Sequence, residues 1–207
     1  MKESIEGMEA AESWEEAREK LRQQLNDLPE RQFPIYHSEA TLRITLATPE
    51  QVVQVHAVMV EAFRSVQDLD PPSGALTETL AEAEEGMRHG GALLGWIGEE
   101  AVASARFLLE ADYLYIGRLA VHPDYQGRGI ASALMVLLEA IARLTGRPRL
   151  RLGTRMRMEK NVALYRRLGY KIVEQHRHPR GSDIVVWLEK ATPLEEDADP
   201  SPWNQGT

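Results

Sequence analysis

"HPDYQGRGIASALM", residues 122–135, places two glycines, Gly127 and Gly129, and a cation, Arg128, directly ahead of an apolar run with helical spacing. Two readings are open at this point. Glycines there make a tight turn, or they let a phosphate approach a helix N-terminus, whose unpaired N–H groups and partial positive charge attract anions. A lone Gly-x-Gly does not separate the two. Its neighbourhood does more. "YLYIGRLAV" (113–121) is an apolar strand immediately before it. Ile130, Leu134, Leu137, Leu138, Ile141 and Leu144 mark a helix immediately after, ended by Gly146 and Pro148. No Gly-Lys-Ser or Gly-Lys-Thr follows, so this is not a Walker-type loop, and the third glycine of a dinucleotide fingerprint is missing.

Charge along the chain points the same way. The net charge of −8 conceals a division. Residues 21–117 hold six basic and fifteen acidic groups, whereas 118–190 hold fifteen basic and six acidic. An anionic ligand, if there is one, belongs to the second half. The two ends, 1–20 and 191–207, are each −4. With 207 residues and 43% hydrophobic content, the chain can bury one full-sized core.

There is no cysteine, which removes thiolate metal sites and cysteine nucleophiles and gives no sign of an oxidising compartment. No metal is expected. No run reaches the ~18 apolar residues of a membrane span, and the start is too acidic for a secretory or mitochondrial leader. The expected location is the cytoplasm, with no membrane partner. The arginines between 147 and 157 raise a nucleic-acid reading, but overall acidity and the lack of interleaved aromatics oppose it.

Around the motif, the spacing predicts an alternation of strands and helices. Met8, Ala11, Trp14, Ala17, Leu21, Leu25 and Leu28 form one helical stripe, followed by a linker with Pro29 and Pro34. An isolated helix of that length is marginal in water, so the stripe needs its own domain or a second subunit, as in a homodimer, to pack on. "TLRITLA" (41–47) is a strand. Thr48 and Pro49 open a helix burying Val52, Val55, Val58, Met59 and Phe63, and residues 76–89 make a second, acidic helix. "ALLGWI", "AVASARFLL" and "YLYIGRLAV" are three strands of an antiparallel meander. The unit at 113–154 is a parallel strand–helix–strand crossover, expected to be right-handed. A short helix at 161–169 and a strand pair across "PRGS" (179–182) complete an α/β chain with a mixed sheet and helices on both faces. Within "RPRLRLGTRMR", Arg147, Arg149, Arg151, Arg155 and Arg157 take odd positions and the apolar residues even ones. Alternation therefore sends the arginines to one open face, toward solvent or an acidic surface, with the acidic second helix as the available partner.

Two stretches now carry a resemblance. "LAVHPDYQGRGIASALM" resembles the acyl-CoA-binding signature of the GNAT superfamily of N-acetyltransferases, with Gln126-Gly127-Arg128-Gly129-Ile130-Ala131 at its centre. "NVALYRRLGYK" is similar to the same superfamily's second element, a short helix with a tyrosine followed by Leu-Gly-aromatic. The resemblance covers roughly 41–190. It implies a GNAT-type fold of about seven strands and about four helices over 39–190. An N-terminal helical extension and linker (1–38) would precede that domain, and an acidic, disordered tail (191–207) would follow it.

The resemblance also implies site residues. The N–H groups from Gly127 to Ser132 would hold the diphosphate of acetyl-CoA. The backbone of Leu119, Ala120 and Val121 would pair with the pantetheine arm and polarise the acetyl carbonyl. Tyr165 would protonate the leaving thiolate, against the alternative of a core tyrosine. Asn161 would serve the cofactor or cap its helix. The activity implied is transfer of acetyl from acetyl-CoA to a primary amine, small molecule or peptide, by direct attack in a ternary complex. The alternative is an acyl-CoA sensor of the same fold. No general base is evident: Glu110, Asp112 or His122 could act through water, and so could a residue brought from the first two helices. The acidic groups Asp68, Asp70, Glu78, Glu82, Glu84 and Glu85 would suit a cationic acceptor, or form a solvated helix face.

Overall fold

The computed structural model describes Gln23 and residues 33–35, 40–66 and 68–192. The 8–28 stripe and the 193–207 part of the tail lie outside the described residues. Among the described residues, eight strands form one sheet in the order β1-β2-β3-β4-β5-β6-β8-β7. They are β1 (Phe33–Pro34), β2 (Thr41–Leu46), β3 (Gly90–Ile97), β4 (Glu100–Leu109), β5 (Leu114–Val121), β6 (Arg149–Arg155), β7 (Lys171–Arg177) and β8 (Ile184–Ala191). All neighbours are antiparallel except β5 and β6. The meander, the parallel crossover and the final strand pair follow the sequence expectation. The eighth strand, β1, lies within the stretch read as linker. It pairs with β2 and leads into Ile35, which is buried in the core.

Among the described residues from 33 to 192, four α-helices cover the sheet: α1 (Val52–Arg64), α2 (Leu80–Arg88), α3 (Ile130–Leu144) and α4 (Glu159–Arg167). Strand alternation divides the apolar residues between two faces. On one, Leu134, Leu138 and Ile141 of α3 and Val162 and Tyr165 of α4 pack with Leu114, Ile116, Leu150, Leu152 and Leu188. On the other, Val52 and Val55 of α1 and Ala83 and Met87 of α2 meet Ala92 and Leu94. Further along α1, Val58, Met59 and Ala62 cluster with Ala75 and Ala120. Phe63, expected inside, is half-buried, and Ala62 takes the inner position. Leu144, expected on the buried stripe, is 44% exposed, because the stripe drifts outward in the last turn of α3.

The termini of these helices are chemically specified. Thr48 and Pro49 open a single 3-10 turn, Pro49–Gln51, with α1 starting only at Val52. Thr79 caps α2 by accepting from the Glu82 N–H, while the Glu82 carboxylate accepts from the Thr79 N–H at 2.7 Å. That reciprocal cap starts the acidic helix at Leu80 rather than at residue 76. Gly146 (φ +64°) and Gly169 (φ +89°) close α3 and α4 in the left-handed conformation that glycine adopts without a Cβ penalty. After α4, the Gly169 N–H donates to the Arg166 carbonyl and the Tyr170 N–H to the Tyr165 carbonyl, both at 3.0 Å.

Candidate active site

β5 and β6 pair at three positions only, Leu114 with Leu150, Tyr115 with Arg151, and Ile116 with Leu152. Beyond them β6 continues along β8, and β5 continues along β4. A gap therefore opens in the sheet between residues 117–121 and 153–155. A bulge in β5 helps to open it. Ser104 pairs with Ala120 and Arg106 with Gly117, so Arg118 and Leu119 together stand opposite Ala105. Past the bulge, the His122 N–H donates to the Val102 carbonyl of β4 at 2.8 Å. By alternation the backbone groups of Val121, and of Leu119 before it, face away from β4 and toward the gap.

The glycine motif forms the end of this gap. His122 leads into a 3-10 turn, Pro123–Tyr125, and Gln126 is extended. Gly127 (φ +75°) and Gly129 (φ +85°) then reverse the chain into α3. At Gly127 a Cβ would meet nothing within 4 Å, so the requirement there is conformational and not steric. The first turn of α3 is closed by the Ala133 N–H on the Gly129 carbonyl at 3.1 Å. Among the described residues, the N–H groups of Gly127, Arg128, Gly129, Ile130, Ala131 and Ser132 have no acceptor, and they run from the glycine turn into the first turn of α3. Ile130 is buried and anchors the turn to the core. Arg128 lies 5.3 Å from the ring centroid of Tyr125, whose hydroxyl donates to Glu100 at 2.8 Å. The Gln126 side-chain amide donates to the Val121 carbonyl at 3.0 Å, bracing the loop against the strand.

α4 brings Tyr165 to the same side as α3. Its ring is buried, and burial holds the phenol pKa well above its ordinary value, with the phenol of Tyr115 adding to the effect. The α4 terminus fixes the ring. The Tyr170 N–H bond to the Tyr165 carbonyl sets the two rings 6.2 Å apart at 60°. Asn161 lies inside α4 at its third residue, and the cap position belongs to Met158. The capping role is thus excluded. The Asn161 amide is half-buried and points to the Met158 sulfur at 3.9 Å.

A splayed parallel pair ending in a glycine turn and a helix N-terminus matches an established pattern. The family model described as "Acetyltransferase (GNAT) family" matches residues 55–170, more than half of the chain. The chain belongs to the GNAT acetyltransferase family. A curated acetyltransferase of Pectobacterium atrosepticum is 39% identical over 56 residues, 27% of this chain and 40% of that protein. The chain thus matches less than half the length of that relative. The ribosomal-protein-S18-alanine N-acetyltransferase of Escherichia coli superposes with a TM-score of 0.61 at 18% identity, covering 80% of this chain and 99% of that one. A ribosomal L7/L12 α-N-protein acetyltransferase solved with coenzyme A gives 0.60 at 17% identity, covering 80% and 100%. At these identities the likeness is one of fold.

Within this GNAT chain, Glu110, Asp112 and His122 lie at the two ends of β5. Glu110 and Asp112 sit in the β4–β5 turn, at the opposite end of β5 from the glycine loop, and Asp112 is ion-paired to Arg149. From Asp112 to Leu119 is roughly 20 Å of extended strand, too far for one bridging water. His122 stands at the glycine-loop end of β5. Its Nδ1 accepts from the Asp124 N–H at 3.3 Å. No group of three or more His, Asp or Glu among the described residues is arranged to hold a metal, and no described helix is long and apolar enough to cross a membrane.

The acidic first half is largely consumed internally. Glu78 pairs with Arg106 and Arg118, Glu82 closes the α2 cap, Glu84 and Glu85 pair with Arg88, and Asp70 accepts from Ser182. The arginine stripe alternates as expected, with Leu150 and Leu152 buried beneath it. Its partner differs from the expectation. α1 and α2 pack over β3, β4 and β5 and leave this part of the face uncovered. Arg151 therefore meets Glu189, its cross-strand partner, and Glu174, each at 3.0 Å. Its guanidinium also lies 4.9 Å from the Trp187 ring centroid. The signal for this was present in the sequence as acidic residues in the last two strands.

Sequence reasoning missed Tyr115 and Trp187, whose rings lie 6.1 Å apart on the open face beside the gap. It also missed Glu78 and Arg118 as a pair. Tyr115 and Trp187 come together across β6, and Glu78 and Arg118 are forty residues apart, so local pattern could not join either set.

Proposed function

We propose that this protein transfers the acetyl group of acetyl-CoA to a primary amine by direct attack in a ternary complex. The observation that supports it most is the row of unpaired N–H groups from Gly127 to Ser132 at the end of the β5–β6 gap. Such a row, with the positive end of α3 behind it, suits the diphosphate of the donor substrate, and Arg128 adds a full charge beside it. The pantetheine arm then runs along Leu119, Ala120 and Val121 as an added strand. Gln126 serves by bracing Val121, whose carbonyl it occupies, and Asn161 contributes its amide near the arm.

In the reaction the neutral amine attacks the thioester carbonyl. Backbone N–H groups facing the gap stabilise the oxyanion as the tetrahedral intermediate forms. The C–S bond then breaks, and the leaving thiolate takes the Tyr165 proton. Burial keeps that phenol protonated across the physiological range. The ammonium proton of the attacking amine leaves to solvent through His122, and a proton from solvent returns to the Tyr165 phenolate. The acceptor is a small-molecule or peptide amine.

Release of coenzyme A from acetyl-CoA, followed with a thiol reagent across a panel of polyamines, amino acids and peptide N-termini, tests the proposal. Amine-dependent release supports transfer. Binding of acetyl-CoA without release by any amine makes the protein an acyl-CoA sensor of the same fold.

A further inference from the structure

Arg118 is the one non-glycine residue with positive φ among the described residues, at +52°. L-residues rarely hold that conformation, and a strand interior is an uncommon place for it. Gly117 stands next to it, yet the left-handed conformation falls on the arginine. Something outside β5 must hold it there, since a bulge needs only a residue able to take that geometry.

The side chain shows what holds it. The Arg118 Nε donates to Glu78 Oε2 at 2.8 Å, and Arg106 Nη2 reaches both Glu78 oxygens, at 2.6 and 2.8 Å. The Glu78 side chain is only 8% exposed. Glu78 is itself fixed from both sides. His56 Nε2 of α1 lies 2.8 Å from its carbonyl oxygen, and Thr79, the cap of α2, follows it directly. Arg118 lies in the bulge itself, and Arg106 stands beside it on β4, opposite Gly117.

We propose that Glu78 is a positioning residue for acetyl transfer, acting through Arg118. It clamps the left-handed backbone of the bulge and so keeps the groups of Leu119 and Val121 turned toward the gap. The inference rests on the proposed role of that backbone in handling the donor. Without the clamp, the extra residue is free to be absorbed. A one-residue slip of β5 on β4 turns to β4 the backbone groups that now face the gap. The clamp also ties α1 and α2 to the strand that handles the donor.

The test compares the full-length wild type with Glu78→Ala and with the double variant Glu78→Ala/Arg118→Gly, since glycine takes the left-handed backbone unaided. Amide hydrogen exchange over residues 114–121, coenzyme A affinity by calorimetry, and coenzyme A release with the best amine of the panel are read together. Glu78→Ala should speed exchange and lower kcat by about a hundredfold, the cost of misplacing reacting groups by about an ångström. Coenzyme A affinity should fall far less than kcat, because the phosphate loop is untouched while the pantetheine pairing along β5 is weakened. The double variant should recover slow exchange and most of the lost rate.

Unchanged exchange in Glu78→Ala overturns the proposal, and with a lowered rate it makes Glu78 a substrate contact instead. Failure of Arg118→Gly to rescue also overturns it, leaving Glu78 a plain stability element. Should Glu78→Ala not fold, Glu78→Gln replaces it under the same readouts. Absence of coenzyme A binding by the wild type counts against the proposed function, while exchange still decides the clamp.

Discussion

Ile116 of β5 and Leu152 of β6 are the last residues to lie side by side before the two strands part. Both are buried in the cluster that also contains Tyr165. The gap therefore begins against the packing that holds the proposed acid. Tyr165→Phe keeps the ring, and with it the packing, but removes the proton. General acid catalysis is worth about 10²–10⁴-fold, so kcat should fall by that amount with coenzyme A affinity unaltered. Steady-state kinetics and calorimetry on the same preparation check this. A rate within about threefold of wild type would return Tyr165 to a purely structural role.

The two linked tyrosines also set an alkaline limit. Burial raises the pKa of both Tyr165 and Tyr170 above the value of 10. Above that value the unfolded chain releases both phenolic protons while the folded chain keeps them. Their stabilising contribution is therefore complete below about pH 10 and is lost as pH rises beyond it. Each retained proton steepens the fall by about 1.4 kcal/mol per pH unit. The Tyr170 hydroxyl is buried without a hydrogen-bond partner. Tyr170→Phe should thus flatten the decline by one proton and, near neutral pH, stabilise by about 1 kcal/mol. Urea unfolding between pH 8 and 11 measures both effects.

Asp183, with its side chain 1% exposed, joins the loop after α1 to the β7–β8 turn. It accepts from the Asp70 N–H at 3.1 Å and from Arg157 at 3.2 Å, and Arg155 lies 3.8 Å away. Asp183→Ala leaves Arg155 without its carboxylate in a mostly buried setting. It should destabilise by about 3 kcal/mol, the scale found when one partner of a buried pair is removed. Opposite it, Asp70 accepts from the Ser182 hydroxyl and N–H, which lower its pKa below 3.8. The contribution of Asp70 is present above 3.8 and is lost as pH falls through its lowered folded value. An acid titration of Asp70→Asn should lack that component.

Much of this was legible in the sequence because it is locally encoded. The "QGRG" turn, the helix stripe from Ile130 to Ile141 and the Leu-Gly-Tyr ending of α4 each carry their geometry in adjacent residues. The bulge at Arg118 is different, since its conformation falls on an arginine and is held by a carboxylate forty residues away. The sequence reading starts α2 at residue 76, whereas a separate 3-10 turn ends at Leu76 and the Thr79–Glu82 cap starts the helix at Leu80. Alternation correctly placed the arginines of β6 on one face. It could not name their partners, because the pairing of β6 with β8 skips β7 and depends on topology.

The central claim is that the N-terminal turn of α3 seats the diphosphate of acetyl-CoA. The most direct measurement is a calorimetric titration of coenzyme A into the wild type and into Ser132→Glu. Ser132 is the third residue of α3, where a glutamate suits the helix dipole and preserves the fold, yet sets a negative charge beside the unpaired N–H groups. The wild type should bind with a dissociation constant between about 1 μM and 1 mM, the usual range for an enzyme substrate. Ser132→Glu should show no measurable binding while keeping its melting temperature. A wild type that does not bind coenzyme A, or a Ser132→Glu variant that binds it equally well, would contradict the account.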